Sequence, residues 1–230
     1  MAEEEADLEL ILAVDASGSV NQEEWALQLG GIAEAFLDER VQTAVGSGPR
    51  GRIAVALLIW SDAAFPKVSS GWFMVDGPET AVAFAGTVSS YIDKRGASIG
   101  QSGAGTGIGA ALEHAVTMFP ANGITAPRQT VDVSGDGVET KPWFQQAVEL
   151  PVARSIAAAR GIIVNGLAIL TDNQRLGTYY REELITGPGS FVLEASDFDA
   201  FAEAMKKKLL AEILTVVGGR QLGVTPVSLD

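Results

Sequence analysis

Residues 8–20 read LELILAVDASGSV. An apolar run with one interruption ends in Asp15, Ser17 and Ser19 at alternate positions, and a helical pattern follows. The apolar run predicts a strand buried on both faces, as the centre of a parallel sheet requires. Asp and Ser are common where a strand turns into a helix, because their oxygens cap the first turn. One carboxylate and two hydroxyls at that turn also suit a hard metal ion.

Working outward, Trp25, Leu29, Ile32 and Phe36 recur at helical spacing, so residues 21–41 read as one amphipathic helix. Residues 53–60, IAVALLIW, form an almost unbroken apolar run, a second central strand that completes a βαβ unit. The alternation continues with helices over 80–92 and 107–119, a strand over 129–133, a helix over 151–160 and a strand over 162–169. Pro151 fits the first helical turn and Gly161 the stop. A last strand, 190–193, leads into Ser196 and Asp199, spaced as a capping box for a helix carrying Phe198, Phe201, Met205 and Leu209. Residues 66–75 read as an edge strand or hairpin. Strands alternating with helices make an α/β protein with a mostly parallel sheet. We read one domain over 8–217, preceded by an acidic extension, 1–7, and followed by a tail, 218–230.

The 230 residues carry 29 acidic and 16 basic side chains, a formal charge of −13, so a nucleic-acid backbone is repelled and no nucleic-acid partner is expected. The run Lys206, Lys207, Lys208 reads as a solvated helix end. No cysteine is present, which removes thiolate chemistry and sulfur-bound metals. No apolar run has the length of a membrane span, and the acidic start lacks a signal-peptide pattern.

Three segments end in oxygen-rich side chains where an open parallel sheet binds its ligands. They are Asp15, Ser17 and Ser19 after the first strand, Thr106 at a helix start, and Asp136 after the strand over 129–133. Two carboxylates and three hydroxyls without nitrogen or sulfur suit Mg²⁺, with Mn²⁺ and Ca²⁺ as alternatives. Two rival motifs lack their context. Gly96-Ala97-Ser98-Ile99-Gly100 matches a hydrolase nucleophile elbow, but the single histidine, His114, has no acid placed to complete a triad. Gly105-x-Gly107-x-x-Ala110 mimics a dinucleotide fingerprint but follows a Gly/Ser loop rather than a strand.

In order and in context, Asp15-x-Ser17-x-Ser19, Thr106 and Asp136-Gly137 resemble the metal-ion-dependent adhesion site of von Willebrand factor type A domains. ARGIIVNGLAIL, TYYREELITGPGSFV and SDFDAFAEAMKKKL resemble a bacterial subfamily whose members often carry export signals. The resemblance implies a doubly wound, Rossmann-like three-layer sandwich, with helices on both faces and one antiparallel edge strand. It makes Ser17 and Ser19 direct ligands and Thr106 a direct or water-bridged one, with Asp15 and Asp136 acting largely through water. The vacant position would accept an Asp or Glu carboxylate from a protein or peptide partner, in a periplasmic or secreted setting. One departure stands out: the family's usual Thr-Asp-Gly is Gly135-Asp136-Gly137, one hydroxyl fewer.

These features predict a metal-dependent protein-binding module rather than an enzyme. The alternatives are an accessory subunit of a transporter or ATPase with a structural ion, and a metal-assisted hydrolase. Asp62, Glu139, Trp143 and Phe144 are candidates for the rim that meets the partner, with Asp62 read first as a turn residue.

Overall fold

A computed structural model describes residues 3–94, 105–120, 122–140 and 147–215. In chain order the elements are β1 (Glu4–Glu5), β2 (Glu9–Asp15), α1 (Gln22–Leu37), α2 (Glu39–Gly46), β3 (Ile53–Trp60), β4 (Val68–Val75), α3 (Pro78–Ser89), α4 (Ile108–Met118), β5 (Ile124–Thr125), β6 (Gln129–Gly135), α5 (Leu150–Ala159), β7 (Ile163–Ile169), α6 (Leu176–Tyr179), β8 (Val192–Ala195) and α7 (Phe201–Thr215). Single helical turns at Ile92–Lys94 (3₁₀) and Tyr180–Leu184 (π) complete them.

The main sheet has the order β4-β3-β2-β6-β7-β8, with every pairing parallel except the antiparallel edge strand β4. This is the expected doubly wound α/β sandwich. Both central runs are buried throughout, which is why they alternate so little in polarity. Along β2, Leu10, Leu12 and Val14 pack into a core with Trp25, Leu29, Phe36, Phe84 and Phe201. Ile11 and Ala13 face the other layer, with Ile108, Leu112, Val131, Leu150 and Tyr180. Each such large side chain contributes roughly 1.5–3 kcal/mol when fully buried. The chain passes from β2 to β3 on one side and later returns to β6 on the other. The strand order therefore reverses at the carboxyl ends of β2 and β6, the position at which open α/β sheets bind ligands.

Several elements differ in detail from the sequence reading. The single helix expected over 21–41 is two helices. Asp38 takes an extended conformation (φ −70°, ψ 126°), ends α1, and starts α2 by accepting from the Arg40 amide at 2.9 Å. The capping box expected at Ser196 and Asp199 does not form. Asp197 accepts from the Ala200 amide at 2.9 Å instead, and α7 begins at Phe201. Gly161 (φ +72°) follows α5 in the left-handed conformation that lets the chain turn into β7. Within the segment read as an acidic extension, Glu4 and Glu5 pair with Ile124 and Thr125. Asp7 is buried and accepts from the Arg50 amide at 3.0 Å.

The largest correction concerns the lysine run, which lies within α7 rather than at a solvated end. Lys206 pairs with Asp38 at 3.2 Å, and Lys207 is exposed. Lys208 is fully buried, 2.7 Å from Asp132 Oδ1 on β6 and 2.8 Å from Glu212 Oε1 one turn along. Asn165 of β7 donates to the same Glu212 oxygen at 2.8 Å and accepts from the Phe191 amide at 3.0 Å. An apolar pattern cannot anticipate this cluster, because its charges compensate one another only after α7 docks on the sheet. Ser98, Trp143, Phe144 and the expected tail over 218–230 lie outside the described residues.

Candidate metal centre

The turn after β2 is held by local hydrogen bonds. Asp15 Oδ1 accepts from the Ser17 amide at 2.7 Å, tightening the turn, and Asn21 caps α1 through the Glu23 and Glu24 amides at 2.8 and 3.1 Å. Gln28 of α1 reaches back to the Asp15 carbonyl at 3.3 Å. Asp15 and Ser17 are thereby held buried, while Ser19 opens to solvent.

The strand order then brings β6 beside this turn. Ser19 Oγ donates to Asp136 Oδ1 at 2.8 Å and lies 3.1 Å from Ser17 Oγ, so three of the five predicted ligands form one contiguous chain. Asp15 and Thr106 join them through glycines. A β-carbon at Gly135 would sit 2.8 Å from Asp15 Oδ2, and one at Gly137 would sit 3.0 Å from Thr106 Oγ1. All five residues therefore lie along the carboxyl edge of β2 and β6.

Thr106 is placed by the close seating of α4. A β-carbon at Gly107 would lie 2.5 Å from the Ala63 nitrogen, so only glycine lets the start of α4 approach the loop after β3. The Gly107 amide donates to the Ser61 carbonyl at 3.0 Å, and Thr106 exchanges bonds with Thr140 at 3.1 and 2.9 Å. Glu139 accepts from the Gly109 amide at 3.1 Å, tying the loop after β6 to the same helix. Burial pushes the Glu139 carboxyl up to about 7 and raises that of Asp136, against the Ser19 hydrogen bond. A nearby positive ion would reverse both effects.

Of the predicted rim, Asp62 accepts from the Ala64 and Phe65 amides at 2.8 and 2.9 Å, within the turn after β3. Glu139 borders a cleft of about 460 Å³ that also involves Glu149, Arg175, Tyr179, Glu182 and Glu183. His114 lies exposed on α4. Among the described residues no group of three or more His, Asp or Glu side chains could hold a metal, so any ion here would depend on hydroxyls as much as on carboxylates. That donor set, all hard oxygens, fits a small divalent cation.

Sequence reasoning missed Tyr180. Its ring is fully buried and its hydroxyl, beside Asp15 and Gly135, has no hydrogen-bond partner among the described residues. Burial, then the charges of Asp15 and Asp136, push the phenol well above its ordinary range, so it stays protonated. Gly135 was the available signal, because a glycine in place of the expected threonine leaves space that another side chain can enter.

Among curated proteins none matches the sequence. The family described as "Protein of unknown function (DUF1194)" matches residues 5–217. The fold is similar to that of the pilus adhesin SpaC from Lactobacillus rhamnosus GG (TM-score 0.61, 14% identity), covering 92% of this chain and 31% of that one. It is also similar to the vWF domain of the type V pili tip protein Mfa5 from Porphyromonas gingivalis (TM-score 0.60, 10% identity, 93% and 97% covered). A third likeness is to manganese-loaded TRAP protein from Plasmodium vivax (TM-score 0.52, 16% identity, 90% and 73% covered). The chain thus spans about a third of the SpaC chain and nearly all of the Mfa5 domain. These likenesses show a von Willebrand factor A-type fold. No helix among the described residues is long and apolar enough to cross a membrane.

Proposed function

The chain belongs to the DUF1194 family, and we propose that it is a divalent-cation-dependent protein-binding module of adhesion type. Ser17 and Ser19 would hold the cation, Mg²⁺ by preference, with Thr106, Asp15 and Asp136 completing its surroundings. When bound, the ion supplies a Lewis-acidic position that an Asp or Glu carboxylate of a protein partner can occupy. Mn²⁺ and Ca²⁺ fit the same donor set.

The observation that carries this reading is the joining of two distant segments by the Ser19–Asp136 hydrogen bond, at the point where strand order reverses. Charge supports it as well. A surface of net charge −13 repels acidic partners except where an ion supplies attraction, which makes contact selective for that spot. The pilus proteins among the structural neighbours support a place outside the cytoplasm, in the periplasm or beyond.

Affinity capture from the source cells' lysate and envelope fraction tests this, comparing Mg²⁺ with EDTA and using Ser17→Ala with Ser19→Ala as the control. A protein retained only with metal and intact hydroxyls is the expected result. Retention indifferent to EDTA would replace it with an accessory-subunit role, the ion being structural. Metal-dependent turnover of a substrate would make the site catalytic.

A further inference from the structure

Tyr180 reaches the candidate metal centre through a trough made by two glycines on adjacent strands. It opens a π-helical turn, in which the Ile185 amide donates to the Tyr180 carbonyl at 3.1 Å. Such turns occur mostly as local insertions and are frequent at functional sites. From there the ring lies across the sheet. A β-carbon at Gly166 of β7 would meet Tyr180 Cδ2 at 2.8 Å, and one at Gly135 of β6 would meet the hydroxyl at 3.1 Å. A side chain at Gly166 would displace the ring, and one at Gly135 would clash with Asp15 and crowd the hydroxyl.

The far end of the ring is what gives this arrangement a purpose. The space that a β-carbon at residue 135 would fill touches both Tyr180 Oη and Asp15 Oδ2, at 3.1 and 2.8 Å. The phenol is fully buried and finds no partner among the described residues. A buried hydroxyl without a partner carries an uncompensated desolvation cost, so its retention calls for an explanation. Packing alone would be served as well by phenylalanine, which carries no such cost.

We propose that Tyr180 is a positioning residue of the cation site, its hydroxyl donating to Asp15 through one water, in place of the hydroxyl lost at Gly135. The von Willebrand factor A-type motif that this segment resembles carries a threonine hydroxyl at that position in the strand. Here Gly135 and Gly166 clear the way for a phenol delivered from the other layer of the fold. A donor fixed by a buried ring orients the carboxylate, as outer-shell partners do around metal sites. The inference rests on the cation-site reading.

The experiment compares the full-length wild type, Tyr180→Phe and the Ser17→Ala/Ser19→Ala double variant. Each is titrated with Mn²⁺ by calorimetry and melted in EDTA. Tyr180→Phe should melt in EDTA at or above the wild-type temperature and bind Mn²⁺ roughly 10–100-fold more weakly. With terbium(III) in place of Mn²⁺, tyrosine-sensitised emission per bound ion should fall in the same variant. Wild-type affinity in Tyr180→Phe would overturn the assignment while leaving the cation site standing. So would a loss of affinity matched by a lower melting temperature in EDTA, since that would assign the effect to packing. A wild type that binds neither Mn²⁺ nor terbium would overturn the cation site and this role together.

Discussion

Ser19 Oγ donates to Asp136 Oδ1 at 2.8 Å, joining residues 117 positions apart in the chain. The contact exists because β2 and β6 lie side by side in parallel, so the turns that follow them leave the sheet at the same edge. The bond is short and open to solvent at Ser19, and both of its atoms are hard oxygens. A cation that bound there would draw on both turns and tie them together.

Metal should therefore stabilise the native chain. A ligand at about 100 times its dissociation constant that binds only the folded state adds about 2.7 kcal/mol. For a chain of this size that corresponds to a rise in melting temperature of roughly 5–10 °C. Differential scanning fluorimetry with Mg²⁺, Mn²⁺ and Ca²⁺ against EDTA measures it, and the Ser17→Ala/Ser19→Ala variant should show no rise.

The buried ion cluster under α7 gives a prediction with two parts. Lys208→Ala would leave Asp132 and Glu212 buried beside one another without their cation, at a cost of about 3–5 kcal/mol. Replacing all three by apolar residues, Asp132→Val with Lys208→Met and Glu212→Leu, should recover most of that loss. Urea unfolding of the single and triple variants separates the cost of breaking the cluster from its net contribution to the fold.

Stability of the metal-free protein should fall as pH rises from about 5 to about 8. Burial raises the Glu139 carboxyl to about 7, from an ordinary value of 4.5. Between those limits the folded chain binds more protons than the unfolded chain. The contribution of Glu139 is complete below the unfolded value and is lost as pH passes the folded one. Asp38 acts in the opposite sense. Its hydrogen bonds with Arg40 hold the carboxyl below its usual range, so its contribution is lost only in stronger acid. Melting curves in EDTA across this range test the slope, and Glu139→Gln should flatten it.

The parts legible in the sequence were those with a local cause. Both central strands announced themselves as apolar runs. Asp15, Ser17, Ser19, Thr106 and Asp136 stood out because each sits where a strand or a glycine-rich loop gives way to a turn or helix. The structure brings the five together, although their distances in the chain gave no sign of it without the strand order. What stayed hidden depends on residues distant in sequence. Asp38 ends a helix whose apolar stripe continues past it, since a cap acts on backbone amides and leaves hydropathy unchanged. Lys208 reads as surface until Asp132, Glu212 and Asn165 are placed around it. Tyr180 reads as core, and only the space at Gly135 and Gly166 shows that its hydroxyl lies beside Asp15.

The most direct test of the central claim is a calorimetric titration of the metal-free protein with Mg²⁺, wild type against Ser17→Ala/Ser19→Ala. The account predicts saturable binding at one site in the wild type, weakened by about a hundredfold or more in a variant whose circular dichroism is unchanged. Equal affinity in the two proteins, or no binding in either, would contradict it.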